Sequence, residues 1–250
     1  MATTNDIYAE MQRYAPLELA ESWDNPGLLV DCGREVSRVL VTLDITPEVV
    51  EEAVAGGCEL IVSHHPVIFS PLKKLTPRDV SFQLVQKGIS AICMHTNLDA
   101  AEGGVNDVLA EKLGLLDTQP LTEEKIGRVG TLKCELPLVD FTRFVVELLR
   151  CNGLRFTDCG KAVHRVAVGG GACGDYIAQA IALGCDTFVT SDLRYHDFLD
   201  TKELNLIDAG HFPTEQVIVP ELCRRLQAAF SAVSVSTSIS HKSEVIQYCI

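Results

Sequence analysis

The sequence predicts a protein of the α/β class, and two observations carry this prediction. Apolar strand-like segments alternate along the chain with amphipathic helix-like segments, which is the pattern of strand–helix–strand units. In addition, residues 39–65 align with residues 166–192 without a gap. Because each copy reads as a strand, a helix and a second strand, we expect an internal duplication of one parallel βαβ unit with a right-handed crossover.

The two repeat units share their glycines and the polar ends of their strands. Gly57 and Gly184 follow the predicted helices directly, where a left-handed helix cap is expected. The second strand of each copy ends in polar residues, so that His65 falls on Asp192. Ligands of open α/β sheets bind beyond the carboxyl ends of the strands. We therefore expect the functional site at these strand ends.

Further segments complete two similar halves of the chain. A third predicted strand follows each repeat unit, and a predicted helix follows that strand. We place the resulting pseudo-repeat lobes at about residues 1–120 and 121–250. Because no stretch rich in Pro, Gly or Ser separates them, we expect both lobes to pack as one unit. The prediction is thus a single domain over residues 1–250, with mixed sheets flanked by helices.

Composition and charge limit the classes of function. The chain has 250 residues, of which 47% are hydrophobic and 22% charged, as in ordinary globular proteins. Its net charge of −13 opposes a general nucleic-acid-binding surface, so nucleic acid is an unlikely partner. The charge still permits a small anionic substrate at a locally positive site such as a bound metal. Because no apolar run approaches the roughly 18 residues of a membrane helix, we expect no membrane association.

The cysteines and the N-terminal segment favour a cytoplasmic location. The ten cysteines are scattered and form no C-x-x-C pair. Most have apolar neighbours, where cysteine acts as a small hydrophobic residue. The N-terminal segment contains acidic residues and lacks the apolar core of a signal peptide. We therefore expect reduced cysteines in a cytoplasmic protein.

Four histidines and two carboxylates fall at or just after predicted strand ends: His64, His65, His95, His211, Asp99 and Glu215. The i, i+4 spacing in HFPTE puts its His and Glu on one helix face if the helix has begun there. HTNLD places its His and Asp four apart on a predicted loop. Neutral imidazole and carboxylate oxygen are ligands of Zn, Mn, Fe and Co. Because six ligands exceed one tetrahedral site, the sequence predicts two metal ions, an arrangement typical of hydrolysis by an activated water.

Several of these residues also have other interpretations. Asp99 could be the N-cap of the helix that follows, and Glu215 could be a first-turn acid favoured by the helix dipole. Ser63 could be a nucleophile with a neighbouring histidine as its base, although the glycines of a nucleophile elbow are missing. The segment GGGACG, residues 169–174, could bind phosphate, although it lacks the Lys and Ser/Thr of a Walker loop.

Three further histidines lie outside the predicted ligand set. We interpret His164 and His241 as surface residues. His196 and Asp192 both follow the second strand of the second repeat unit. These two residues are our candidates for catalytic proton transfer. The alternative for His196 is a residue on an ordinary helix face.

Six motifs in one order carry a family resemblance over nearly the whole chain: SWDNPGLLVDCG (22–33), SHHPVIFSPLKKL (63–75), HTNLDAAEGGVND (95–107), GRVG (127–130), TSD with a following His (190–196) and HFPTE (211–215). The chain resembles the NIF-three-like dinuclear metal-centre proteins, often labelled GTP cyclohydrolase 1 type 2 homologues. Some members carry a domain inserted mid-chain. Residues 121–165 are too few for one, so the chain resembles the compact bacterial form.

The resemblance implies a site, an assembly and a reaction. Two divalent metal ions (Zn, Fe, Mn or Co) would bind to His64, His65, Asp99, His211 and Glu215, with His95 as a neighbour that could also ligate. The assembly would be a ring-shaped homohexamer, a trimer of dimers. The reaction would open the imidazole ring of GTP at C8 with metal-activated water. We therefore predict a metal-dependent hydrolase for a nucleotide-like anion. The alternative is a metal-holding ring that regulates or binds partners without catalysis.

Overall fold

The computed structural model describes residues 2–241 and 245–246 of the chain. The strands of the described residues are, in chain order, β1 (Ala2–Thr3), β2 (Gly27–Val30), β3 (Glu35–Val36), β4 (Arg38–Thr42), β5 (Leu60–Ser63), β6 (Ser90–Cys93), β7 (Leu116–Pro120), β8 (Arg128–Leu136), β9 (Arg155–Thr157), β10 (Val163–Val168), β11 (Thr187–Thr190), β12 (Asn205–Asp208) and β13 (Ser234–Thr237). The α-helices of the same residues are α1 (Thr4–Tyr14), α2 (Pro47–Gly56), α3 (Val80–Lys87), α4 (Thr96–Ala100), α5 (Val105–Lys112), α6 (Leu138–Leu149), α7 (Ile177–Ala182), α8 (Tyr195–Asp200), α9 (His211–Glu215) and α10 (Ile218–Ala229).

The chain folds into two compact units. The first comprises Met1–Ala101 and Ile218–Lys242, and the second comprises Glu102–Val217 and Ser243–Ile250. These limits differ from the sequence-based division near residue 120. Helix α5 packs on β8 and β10 in the second unit, whereas α10 packs on β4 and β13 in the first. The chain therefore enters the second sheet earlier than its repeat pattern indicates, and α10 and β13 return to the first sheet.

The first unit is built on a five-stranded mixed sheet in the order β13–β4–β5–β6–β2. The first four of these strands are parallel, and β2 pairs antiparallel with β6. All four residues of β5 are buried, as expected for a central parallel strand covered on both faces. The core includes Leu40, Val49, Ile61 and Leu84. The carboxyl ends of β4, β5 and β6 consequently lie along one edge of this sheet.

The second unit is built on a six-stranded mixed sheet in the order β7–β8–β10–β11–β12–β9. Strands β10, β11 and β12 are parallel, whereas β8 and β9 pair antiparallel with their neighbours. The core of this unit includes Phe141, Val145, Val166 and Val189. The two mixed sheets with their helices confirm the predicted α/β class.

Both repeat units form the predicted strand–helix–strand arrangement. The first is β4–α2–β5, in which Thr46 caps the helix and Pro47 occupies its first turn. The second is β10–α7–β11, in which a 3₁₀ turn at Gly174–Tyr176 precedes the helix. Gly57 and Gly184 adopt the expected left-handed conformation, with φ of 64° and 73°. Among the residues that the structure describes, no helix has both the length and the apolar character needed to cross a bilayer.

Candidate metal centre

The first unit gathers three histidines at the carboxyl ends of β5 and β6. One ring nitrogen from each of His64, His65 and His95 lies within 4.8 Å of the other two. On a regular strand the side chains of His64 and His65 would point to opposite faces. Strand β5 ends at Ser63, however, and the two ring centroids are 4.9 Å apart. The end of the strand is therefore what allows both imidazoles to face one site.

His64 presents a defined nitrogen to this site. Its side chain is fully buried, and its Nδ1 lies 2.8 Å from the carbonyl oxygen of Met94. A carbonyl only accepts, so Nδ1 carries the proton and Nε2 carries the lone pair. Nε2 lies 3.7 Å from Oδ1 of the buried Asp99. An imidazole nitrogen and a carboxylate oxygen thus converge as two metal ligands do.

Asp99 lies on helix α4 and not on a loop, so the loop prediction for HTNLD was wrong. His95 occupies the N-cap position of this helix, and its backbone N–H donates to Oδ1 of Asn97. The amide of Asn97 in turn donates to the carbonyl of Ala15. The next helix, α5, has Gly104 and not Asp99 as its N-cap residue. The capping alternative for Asp99 is therefore also wrong.

A buried aspartate orients His95. The carboxylate of Asp24 accepts hydrogen bonds from His95 Nδ1 (2.7 Å) and from the backbone and hydroxyl of Thr96. Burial opposes ionisation of Asp24, but these three donors lower its pKa to about 2. The ionised carboxylate fixes the proton of His95 on Nδ1, which leaves Nε2 as the ligand atom. This is the carboxylate–histidine pairing typical of metal sites.

Asp44 plays the same part for His65, and it also binds His241. One carboxylate oxygen accepts from His65 Nδ1 and the other from His241 Nε2, each at 2.7 Å. Although burial opposes ionisation, these bonds hold the pKa of Asp44 well below its usual range. The side chain of His241 is only 11% exposed, so its assignment as a surface residue was wrong. His164 is exposed, as predicted.

We expect Asp44→Asn to weaken metal binding by His64, His65 and His95 by about tenfold or more. The amide keeps the shape of the carboxylate but removes the charge that fixes and strengthens the His65 donor. His241→Ala removes only the outer donor, and we expect a smaller loss. Competition titration against a chromophoric chelator measures both affinities. His164→Ala is the matched control, and an Asp44→Asn affinity equal to that of this control would contradict the assigned role.

The second unit carries a second ligand set on α9. His211 begins this helix and Glu215 ends it, so the i, i+4 spacing places them on one face, as predicted. His211 Nε2 lies 2.9 Å from Glu215 Oε2, and its Nδ1 lies 2.6 Å from Asp192 Oδ2. Glu215 is buried at the end of the helix, so its interpretation as a first-turn acid was wrong.

The GGGACG segment contacts Glu215 through Gly171. A Cβ on Gly171 would lie 2.2 Å from Glu215 Oε1, and Gly171 has a φ of +65°. The backbone N–H groups of Gly170 and Gly171 donate to the side chains of Asn106 and Thr214. The close approach of the carboxylate therefore explains Gly171, and the amides of Gly170 and Gly171 have side-chain partners in place of a phosphate.

Asp192 and His196 occupy different surroundings. Asp192 follows β11 with a φ of +56° and accepts the hydrogen bond of His211, which lowers its pKa. Its observed contact thus orients the ring of His211. His196 is exposed on α8, with its ring edge-on to Tyr195 at 5.3 Å. Proton transfer by Asp192 and His196 stays a prediction.

Ser63 bonds to the His65 carbonyl and to Cys93, so its hydroxyl does not pair with an imidazole.

We expect Asp192 and Glu215 to make metal binding at the second ligand set dependent on pH. Burial would lower the pKa of His211, but hydrogen bonds from its ring to these two carboxylates raise it to about 11. The ring is therefore protonated near neutral pH and must lose this proton to ligate a metal. Below that pKa we expect the affinity to rise about tenfold per pH unit, with about one proton released per ion bound. Metal titration in weak buffer measures the affinity and the number of protons released. The His211→Gln variant should not release this proton.

The same pairing stabilises the metal-free fold. Because the folded-state pKa of His211 exceeds the unfolded value of 6.5, its contribution is fully present below about pH 6.5. The contribution is lost as the pH rises towards 11. Urea unfolding of the metal-free protein should therefore show a stability difference from His211→Gln that shrinks with increasing pH. A difference that grows with pH would contradict this assignment.

Comparison with known proteins identifies the family. The sequence profile of Duf34/NIF3 (NGG1p interacting factor 3) matches residues 2–244. The chain belongs to this family. A Clostridium perfringens protein named GTP cyclohydrolase 1 type 2 homolog is 33% identical over 237 residues, which cover 89% of this chain and 90% of that protein. The family resemblance predicted from the motifs is thereby confirmed.

Solved structures of the family share the fold. A Bacillus cereus protein related to NIF3 matches with a TM-score of 0.91 at 25% identity, covering 98% of this chain and 99% of the other. A Staphylococcus aureus hypothetical protein matches with a TM-score of 0.91 at 30% identity, covering 99% of both chains.

The donor chemistry of both ligand sets fits divalent metal ions. Each of the four histidines has its Nδ1 on an oxygen acceptor, which directs Nε2 to the ligand position. Two carboxylates, Asp99 and Glu215, lie beside these nitrogens. Imidazole and carboxylate suit Zn, Mn, Fe and Co. That both sets serve one pair of ions stays a prediction. The number of ions per chain also stays a prediction.

The sequence analysis missed three residues that support the ligands: Asp24, Asp44 and His241. Asp44 had a readable signal, because it lies two residues beyond the carboxyl end of β4, as the histidines lie beyond β5 and β6. Asp24 lies in the motif SWDNPGLLVDCG, which carries the family resemblance but has no metal-ligand spacing. No local pattern marks His241, which meets Asp44 across 197 residues of sequence.

Proposed function

We propose that the protein is a metal-dependent hydrolase that acts on a nucleotide-like anionic substrate. One observation carries the proposal: four imidazoles have Nδ1 held by an acceptor, and two of them have Nε2 close to a buried carboxylate. Purely structural histidines do not need this uniform arrangement, whereas metal ligands do. The family's label, GTP cyclohydrolase 1 type 2 homolog, supports the substrate class.

The residues divide the work between ligation and orientation. His64, His65, Asp99, His211 and Glu215 would hold two divalent ions, with His95 as a further ligand. A bound metal ion would act as a Lewis acid and would bring the pKa of a bound water close to neutral. The aspartates that accept from Nδ1 keep three of the histidines in the tautomer that ligates.

The test begins with the metal content of the purified protein. Elemental analysis should give about two ions per chain, and protein reloaded with Zn, Mn, Fe(II) or Co should release formate or phosphate from nucleoside triphosphates. Formate release reports opening of the imidazole ring at C8. Asp99→Asn should lose this turnover, whereas Asp175→Asn, whose side chain is 88% exposed, should keep it. Turnover by none of the metal-loaded forms, or equal turnover by both variants, would refute the proposal.

A second candidate function is a metal-holding regulatory or partner-binding protein without catalysis. The family description, NGG1p interacting factor 3, favours this candidate. It predicts tight stoichiometric metal with no metal-dependent turnover. The same elemental and turnover measurements therefore separate the two functions.

The proposal extends to assembly and location. We propose a homohexameric ring, a trimer of dimers, on the basis of the family resemblance, and native mass spectrometry of the intact protein tests it.

We also propose a cytoplasmic location. Burial raises the pKa of the Cys93 and Cys185 thiols to about 11, which suits reduced cysteines that serve as small core residues. Cell fractionation with detection of the native protein tests the location.

A further inference from the structure

Two exposed aromatic side chains flank the first ligand set, which comprises His64, His65, His95 and Asp99 of the first unit. Trp23 is 59% exposed and Phe69 is 52% exposed. Their ring centroids lie 5.9 Å apart at an interplanar angle of 52°. Both rings are close to His95, with centroid distances of 6.2 Å and 6.3 Å in edge-on geometry. Two large aromatic rings exposed next to each other, beside the predicted metal ligands, indicate a binding surface.

The backbone that carries Trp23 is fixed to the ligand set. The residue that follows it is Asp24, whose carboxylate binds the His95 ring and Thr96. Two residues before Trp23, the N–H of Glu21 donates to the Thr96 hydroxyl at 3.0 Å. The position of the indole is thus tied to the same short segment that positions His95.

The backbone beside Phe69 is fixed to the Trp23 segment. The side-chain amide of Asn25 donates to the backbone carbonyl of Ile68 at 2.6 Å. Asn25 lies two residues after Trp23, and Ile68 directly precedes Phe69. The two rings therefore belong to one hydrogen-bonded framework. Such a framework lowers the entropy lost on binding, because the contact surface is already ordered. Exposed rings on an ordered backbone are typical of a stacking platform.

We infer that Trp23 and Phe69 stack against the flat heteroaromatic ring of the substrate and hold it beside His95. The inference rests on the proposed function, because it names the part of the substrate that this site recognises. Every base has a π-face, so stacking alone accepts any planar ring and gives affinity more than selectivity. Trp23 and Phe69 are accordingly binding residues, and the ligand histidines next to them are the residues that meet the reacting end.

The composition of the chain allows a direct test. Trp23 is the only tryptophan, so its fluorescence reports this site alone. We expect GTP, ATP and guanosine to change the emission of the zinc-loaded wild-type protein saturably. Inorganic tripolyphosphate, which has no ring, should leave the emission unchanged. Free N-acetyltryptophanamide provides the correction for light absorbed by the nucleotides.

Phe69→Leu keeps an apolar side chain but removes the ring. We expect the affinity for GTP to fall about 5- to 160-fold, which corresponds to the roughly 1–3 kcal/mol lost when an aromatic partner of a base is removed. The control is Phe144→Leu, which replaces a phenylalanine that is 37% exposed on α6. Circular dichroism of both variants verifies that they are folded. Equal affinity for GTP in the two variants would overturn the inference.

Two other results would also overturn it. The first is an emission that no ring-containing ligand changes. The second is a Trp23 indole that acrylamide does not quench in the absence of ligand, with an emission that changes only with protein concentration. This result would assign the two rings to a contact between copies of the chain. Failure of the proposed function looks different: saturable ring binding at Trp23 without metal-dependent turnover. Turnover without any response of Trp23 refutes the stacking inference alone.

Discussion

His64→Asn is expected to reduce the metal bound by the first ligand set by at least about 100-fold in affinity. The asparagine amide can still donate to the Met94 carbonyl, as His64 Nδ1 does, but it offers no atom at the position of Nε2. Tetrahedral zinc sites bind with roughly 10–16 kcal/mol over four ligands, so one ligand accounts for about 3 kcal/mol. Elemental analysis and chelator competition measure the loss.

A comparison with His64→Ala separates ligation from folding. Alanine also removes the partner of the Met94 carbonyl, and an unsatisfied buried acceptor costs roughly 1–3 kcal/mol. We therefore expect the metal-free His64→Ala protein to be less stable than metal-free His64→Asn, although both lose metal. His164→Ala, at an exposed histidine, should change neither property. Wild-type metal affinity in His64→Asn would rule out ligation by this residue.

Gly171→Ala is expected to abolish metal binding by the second ligand set. The new Cβ would lie 2.2 Å from Glu215 Oε1 and 3.3 Å from His211 Cε1. The carboxylate lies at the end of a flexible side chain and would move away from the ligand position. The positive φ of Gly171 adds a backbone cost of about 1–2 kcal/mol for alanine.

Gly184→Ala is the matched control, because it has the same kind of backbone strain without the contact. Gly184 has a φ of +73°, and a Cβ there would meet no atom within 4 Å. Both variants should lose a similar amount of stability in urea unfolding, but only Gly171→Ala should lose metal. Equal metal content in the two variants would show that Glu215 is not a ligand.

The match between sequence and structure is closest where a local pattern decides the conformation. The apolar segments of residues 60–63 and 187–190 form buried parallel strands, and the glycines after α2 and α7 are left-handed. The i, i+4 spacing of His211 and Glu215 correctly places both side chains on one helix face. These features depend on neighbours within a few residues, so the amino-acid order alone specifies them.

Local patterns failed where two interpretations share the same short-range signal. HTNLD carries the polar residues of a loop, but it forms α4 because Asn97 bonds to the His95 N–H and to the distant Ala15 carbonyl. The limits of the two compact units likewise differ from the predicted division near residue 120. Packing determines which sheet each helix covers: α5 lies on β8 and β10, whereas α10 lies on β4 and β13.

The sequence by itself determined the class of fold and the placement of the histidines and carboxylates of the predicted ligand set at or just beyond the strand ends. The tertiary structure alone decided which groups orient those ligands. Asp24 meets His95 across 71 residues, and Asp44 meets His65 across 21 and His241 across 197. Such pairs are set by how strands and loops meet in space, and no spacing along the chain encodes that distance. The tautomer of each histidine in the predicted ligand set is therefore a property of the folded chain.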